Sequence, residues 1–105
     1  MDFCLRYIEE NIYRKITVTE LTERLGVSRP YLYKIFCKKF DMSPKQYIMR
    51  YKLSNAKTML SENDMTVTQI ANSIGYDDSL AFSKAFSLKE NISPQKYRTV
   101  IKAGL

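Results

Sequence analysis

A chain of 105 residues can form one compact body or two very small ones. At 45% hydrophobic and 27% charged it is ordinary globular material rather than disordered, and three Gly and three Pro supply too few turn formers for an all-β fold. Seventeen Lys and Arg against eleven Asp and Glu leave a net charge of +6, which points to a polyanion or an acidic membrane surface as partner unless the protein is merely soluble and basic.

The first predicted element is a short amphipathic helix. Phe3, Leu5, Ile8 and Ile12 give its apolar side, Glu9 and Glu10 face out, and it ends near Tyr13. The basic pair Arg14-Lys15 that follows suits a helix C-terminus. Thr17 and Glu20 then read as a capping box, with Val18, Leu21 and Leu25 as one apolar face and Gly26 where a left-handed residue is wanted. Ser28 caps the next helix, about Arg29 to Lys39. Two helices across a tight Gly turn make a helix-turn-helix.

Ser43 opens a longer helix. It is a predicted N-cap, Pro44 suits the first helical position, and Gln46 completes a capping box. Leu53, Ala56 and Leu60 recur at helical spacing, and no Gly or Pro interrupts after Pro44. Roughly 18 residues at 1.5 Å each span about 27 Å. Glu62-Asn63-Asp64 is a polar connector.

Thr66 to Tyr76 repeats the Thr17 pattern. Thr66 and Gln69 repeat the box, Ile70 and Ile74 replace Leu21 and Leu25, and Gly75 replaces Gly26, all 49 residues on. One extra residue enters the turn, Asp77-Asp78 against Ser28. From there Leu32, Lys34, Phe36 and Lys39 recur 50 residues on as Phe82, Lys84, Phe86 and Lys89, and Ser43-Pro44 and Tyr47 recur as Ser93-Pro94 and Tyr97. An insertion confined to the turn, with both flanks matching, is what a duplicated unit predicts. A last helix, Ser93 to about Lys102, closes the second unit, and Gly104-Leu105 is expected to fray. The reading is all-α, about seven helices, with a first unit at 1–42, a connecting helix at 43–62 and a second unit at 63–105.

On a helical wheel Leu32, Ile35 and Phe36 face inward, while Pro30, Tyr33, Lys34 and Cys37 face outward with Arg29 and Lys38 at the edges. In the second copy Phe82, Ala85 and Phe86 face inward, and Leu80, Ser83, Lys84 and Ser87 outward, with Ser79 beside them. A helix-turn-helix offers this outward face to the DNA major groove. Lys34 and Lys84 can donate to guanine O6 and N7 or to phosphate, and Ser79 and Ser83 can serve base edges or phosphates. Pro30, Tyr33 and Leu80 suit thymine methyls. Taken singly, Lys34, Lys38 and Lys84 are as readily solvated surface lysines. On matched faces of two such helices DNA contact is the better account, and it gives the exposed Pro30, Tyr33 and Leu80 a reason. Helix starts at Thr17, Ser43, Thr66 and Ser93, with Lys38, Lys45 and Lys96, are weaker phosphate candidates, since caps also simply stabilise helices. Cys37 reads as a small tolerated residue. Tyr47, Tyr97 and Phe40 read as core rather than base-stacking groups.

Chemistry has few carriers here. The chain has no His, no Cys-x-x-Cys, no Gly-rich phosphate loop and no nucleophile elbow, so neither an enzyme nor a cofactor or metal site is expected. Cys4 and Cys37 form no disulfide framework and fit a reducing cytosol. No signal peptide or transmembrane run is read. The rival that remains is a basic helical protein-interaction module without a specific DNA target.

The whole chain resembles the DNA-binding domain of the AraC/XylS family of bacterial transcription regulators. The resemblance rests on Ile70-Ala71, Ile74-Gly75-Tyr76-Asp77-Asp78, Phe82-Ser83-Lys84-Ala85-Phe86 and Ser93-Pro94-Gln95-Lys96-Tyr97-Arg98. In the first unit it rests on Leu21, Leu25, Ser28, Leu32, Phe36 and Tyr47. It implies seven helices in two homeodomain-like helix-turn-helix subdomains that read two successive major grooves of promoter DNA. It also implies activation through RNA polymerase, in the bacterial cytoplasm. Departures stand at Thr22, where the family often has Ala, and at Pro30, Tyr33 and Lys34, where Trp, Gln or Arg are common. These change the expected target sequence. The resemblance further implies a ligand-sensing or dimerisation domain, commonly N-terminal. With none in this stretch and no linker-like start, an excised domain is expected over a stand-alone one, monomeric by itself and dimeric through the missing part.

Overall fold

A computed structural model describes residues 2–104, and among them seven helices and no strands. They are α1 (Asp2–Glu10), α2 (Val18–Leu25), α3 (Arg29–Phe40), α4 (Pro44–Glu62), α5 (Val67–Ser73), α6 (Ser79–Glu90) and α7 (Pro94–Lys102). The chain divides into two compact units, Met1–Tyr51 and Lys52–Leu105, with the division inside α4. Leu105, expected to fray, lies outside the described residues. No described helix is long and apolar enough to cross a membrane.

The first unit closes around Cys4, Ile8, Ile16, Leu21, Leu32, Phe36 and Ile48. Phe36, Phe40 and Tyr47 form a ring cluster at its edge, with Phe36 edge-on to Tyr47 at 5.4 Å. α1 departs from expectation. It ends at Glu10, and its buried residues are Cys4 and Ile8, while Phe3 is 58% exposed. Ile12 is only half-buried, and Ile16 beyond the turn takes the core place instead. Arg14 stands past the helix end, where its Nε donates to Asn11 Oδ1 at 3.1 Å. Its guanidinium turns to the Glu20 carboxylate and the Tyr7 hydroxyl, and Tyr7 also donates to Glu20.

That arrangement leaves the first capping box half made. Thr17 Oγ1 accepts from Glu20 N–H at 3.1 Å, but the Glu20 side chain is held by Arg14 instead of reaching back. The other two boxes close in both directions, Ser43 with Gln46 and Thr66 with Gln69. Gly26 has φ +67°, with nothing within 4 Å of where a Cβ would stand. Its glycine is therefore required by conformation, not by space.

The second unit closes around Leu53, Ala56, Leu60, Ile70, Ala71, Ile74, Phe82 and Phe86. Phe86 meets Tyr97 edge-on at 5.6 Å, the counterpart of Phe36 and Tyr47. Arg98 Nε donates to the Leu60 carbonyl at 3.2 Å, covering the last turn of α4. Matched left-handed residues close both second helices: Asp41 at φ 58° and Asn91 at φ 62°. Short polar side chains tolerate that region, and each backbone N–H reaches a carbonyl of the last turn, Cys37 and Ser87.

Candidate nucleic-acid interface

α3 is started by Ser28, whose Oγ accepts from Tyr31 N–H at 3.2 Å, and by Pro30 in its first turn. Leu32 and Phe36 turn it to the core. Its other side carries the expected set: Arg29, Pro30, Tyr33, Lys34 and Lys38 are all exposed. Arg29 Nη1 donates to Thr19 Oγ1 at 2.9 Å, which fixes the guanidinium beside the start of α2. Ile35 and Cys37 are half-buried, so both lie nearer the boundary than the wheel drew them. The neighbouring Cys37 raises the Tyr33 phenol, and its hydroxyl can donate and accept.

α6 is started differently. Asp78 Oδ1 accepts from Leu80 N–H at 2.8 Å, an acidic cap at the position that Ser28 holds in the first unit. Phe82 and Phe86 are buried, and Leu80 and Lys84 are exposed. Ser79 and Ser83 are half-buried, so they offer less to a ligand than a fully outward face would.

Sequence reasoning passed over three groups. Tyr31 is 55% exposed and shares the side of α3 that carries Lys38. Leu88 is as exposed as Leu80, on the side of α6 centred on Lys84. In the first unit a cleft of about 380 Å³ lies among Val18, Arg29, Pro30, Tyr33, Ser43, Pro44 and Lys45. Its walls are mostly apolar and two cations stand at it, so it can take a flat apolar group with an anion beside it. The signal for Leu88 is its repeat partner Lys38, at the edge of the outward face of α3.

A family model described as a helix-turn-helix domain matches residues 21–99. This chain belongs to the AraC-type helix-turn-helix family. It is 39% identical over 87 residues to the Msm operon regulatory protein of Streptococcus mutans, covering 83% of this chain and 31% of that protein. It is 33% identical over 92 residues to the lactose operon transcription activator of Staphylococcus xylosus, covering 88% of this chain and 33% of that one. The chain thus spans about a third of the length of the curated relatives it matches. Among solved structures, the C-terminal domain of the two-component response regulator yesN from Fusobacterium nucleatum superposes with a TM-score of 0.87 at 28% identity, over 92% of this chain and 95% of that one. The AraC-type assignment accounts for the duplicated unit and its seven helices together.

Proposed function

We propose that this domain binds double-stranded DNA sequence-specifically, as the DNA-reading part of a bacterial transcription activator. The observation that carries it is the repeated outward face. In each helix-turn-helix the second helix buries two large apolar residues and presents an exposed lysine, Lys34 and Lys84, at the centre of the opposite side. Each such face suits one major-groove half-site. Lys34 and Lys84 serve guanine edges or phosphate; Tyr33, Pro30 and Leu80 serve thymine methyls; Ser79 and Ser83 supply weaker polar contacts. Arg29, Lys38, Lys45 and Lys96 hold phosphates. Activation then proceeds through contact with RNA polymerase in the cytoplasm. The isolated domain is monomeric and a longer protein dimerises through another part.

Selection of bound sites from random duplexes tests this reading. Enrichment of a site with two half-sites is expected, and no enrichment at low salt would overturn it. The exposed Leu80 and Leu88 favour one other reading, a protein-interaction module. Salt separates the two, since phosphate contacts weaken steeply with salt and apolar contacts do not.

A further inference from the structure

α3 and α6 are copies 50 residues apart, so their outer sides can be matched residue by residue. Residues at i, i+4 and i+8 step round a helix by about 40° each and form one slanting row about 12 Å long. In α3 that row is Pro30, Lys34 and Lys38; in α6 it is Leu80, Lys84 and Leu88. Both rows are exposed along their whole length, and Leu80 and Leu88 are each 77% exposed. The central lysine is common to both, and the third position changes from a cation to a branched aliphatic.

The surrounding charge changes the same way. α3 carries Arg29, Lys34, Lys38 and Lys39 and no acid, with the single acid Asp41 after it. α6 carries Lys84 and Lys89, two acids, Asp77 and Asp78, precede it, and its Glu90 is paired with Lys57 at 3.1 Å. Phosphates are drawn to the first surface and much less to the second. Two exposed leucines flanking a lysine are matched by an apolar group beside a hydrogen-bond acceptor. The major-groove floor offers that pair as thymine C5-methyls next to O4, N7 and O6 acceptors. At about 3.4 Å per base step, a 12 Å row covers three to four steps.

We infer that the two recognition helices divide the work unequally: α3 adds most of the phosphate anchoring to its own base contacts, and α6 reads chiefly thymine methyl groups, through Leu80 and Leu88. Leu88 is then a specificity-determining residue. The inference rests on the DNA-binding reading above and commits α6 to the groove rather than to a protein partner.

The test uses the selected duplex and a second version in which thymines of the half-site protected by α6 are replaced by uracil. This removes methyls and leaves every hydrogen-bonding edge intact. That half-site is identified as the one whose footprint is lost in Lys84→Ala. Uracil should weaken wild-type binding about fourfold per contacted methyl. Leu88→Ala should lose a similar factor on the thymine duplex and respond less to uracil, with an unchanged melt. Leu88→Lys should steepen the slope of log affinity against log salt by about 0.9, and Lys38→Leu should flatten it by as much while keeping uracil sensitivity. Wild-type binding indifferent to uracil would overturn the inference alone. So would Leu88→Ala indistinguishable from wild type on both duplexes, which would hand Leu88 to a protein partner. Absence of all specific binding would overturn this inference and the DNA-binding reading together.

Discussion

Phe86 and Lys84 stand two positions apart on α6 and meet opposite surroundings. Phe86 has no exposed surface and packs against Phe82 and Tyr97, with ring centres 5.9 and 5.6 Å away. Truncation leaves a cavity that a small second unit cannot close. Phe86→Ala should therefore cost about 3–5 kcal/mol in a denaturant melt, and a loss under about 1 kcal/mol would mean the ring is not core. Lys84 lies on the solvent side, as does Tyr33 on α3, 56% exposed. Lys84→Ala and Tyr33→Ala should leave the melt unchanged and weaken binding to a selected duplex by about 1–3 kcal/mol each. Footprints unchanged in both variants would reject the assigned faces. The contrast is useful because the same helix supplies a stability probe and a binding probe.

At the scale of elements, the link between α1 and α2 is the part most exposed to test. Arg14 and then the Tyr7 hydroxyl hold the Glu20 carboxyl down at about 2 against its ordinary 4.5, with burial opposing them. A depressed carboxylate contributes stability that is complete above its unfolded pKa and lost as pH falls through the folded one. The first unit should thus lose this contribution between pH 4.5 and about 2. Arg14 and Glu20 are both part-exposed, so solvent screening limits its size. Glu20→Gln should cost about 1–2 kcal/mol at neutral pH and flatten the acid limb of the melting curve. An acid limb identical in variant and wild type would show that the pair stores nothing. This element also marks the limit of what the sequence conveys. The caps Ser28, Ser43, Thr66 and Ser93, the turn glycine and the buried residues of α3, α5 and α6 are legible because each is set by short-range spacing. Phe3 and Ile12 fit the helical period as well as Cys4 and Ile16 do, and only the packing partners separate them. Local spacing makes Glu20 a capping group, whereas its carboxylate goes to Arg14 through an approach that only the fold creates. Among the site residues, Lys34, Lys84 and Leu80 followed from the wheel. Leu88 is reached only through its repeat partner Lys38, because it lies at the edge of the outward face, where helical spacing alone does not decide exposure.

The charge of the whole molecule decides how binding should respond to salt. The first unit holds ten Lys and Arg against six Asp and Glu, net +4, and the second seven against five, net +2. If Arg29, Lys38, Lys45 and Lys96 each neutralise one phosphate, log affinity should fall with log salt at a slope of about −3.6. That is roughly a hundredfold loss from 50 to 200 mM salt. Net charge alone would spread the effect over every exposed cation, so the predicted distribution is the sharper test. Lys38→Ala combined with Lys45→Ala should flatten the slope by about 1.8, and Lys96→Ala by about 0.9. Exposed lysines away from these faces provide the control. Lys15→Ala alters the same net charge by the same amount but removes no proposed phosphate contact, so its slope should match wild type. A slope that falls equally for Lys15 and Lys38 would mean that binding reads total charge. A slope near zero would leave a protein surface as the partner. Only the unequal response ties affinity to these helices, because the same charge then counts differently according to where it stands.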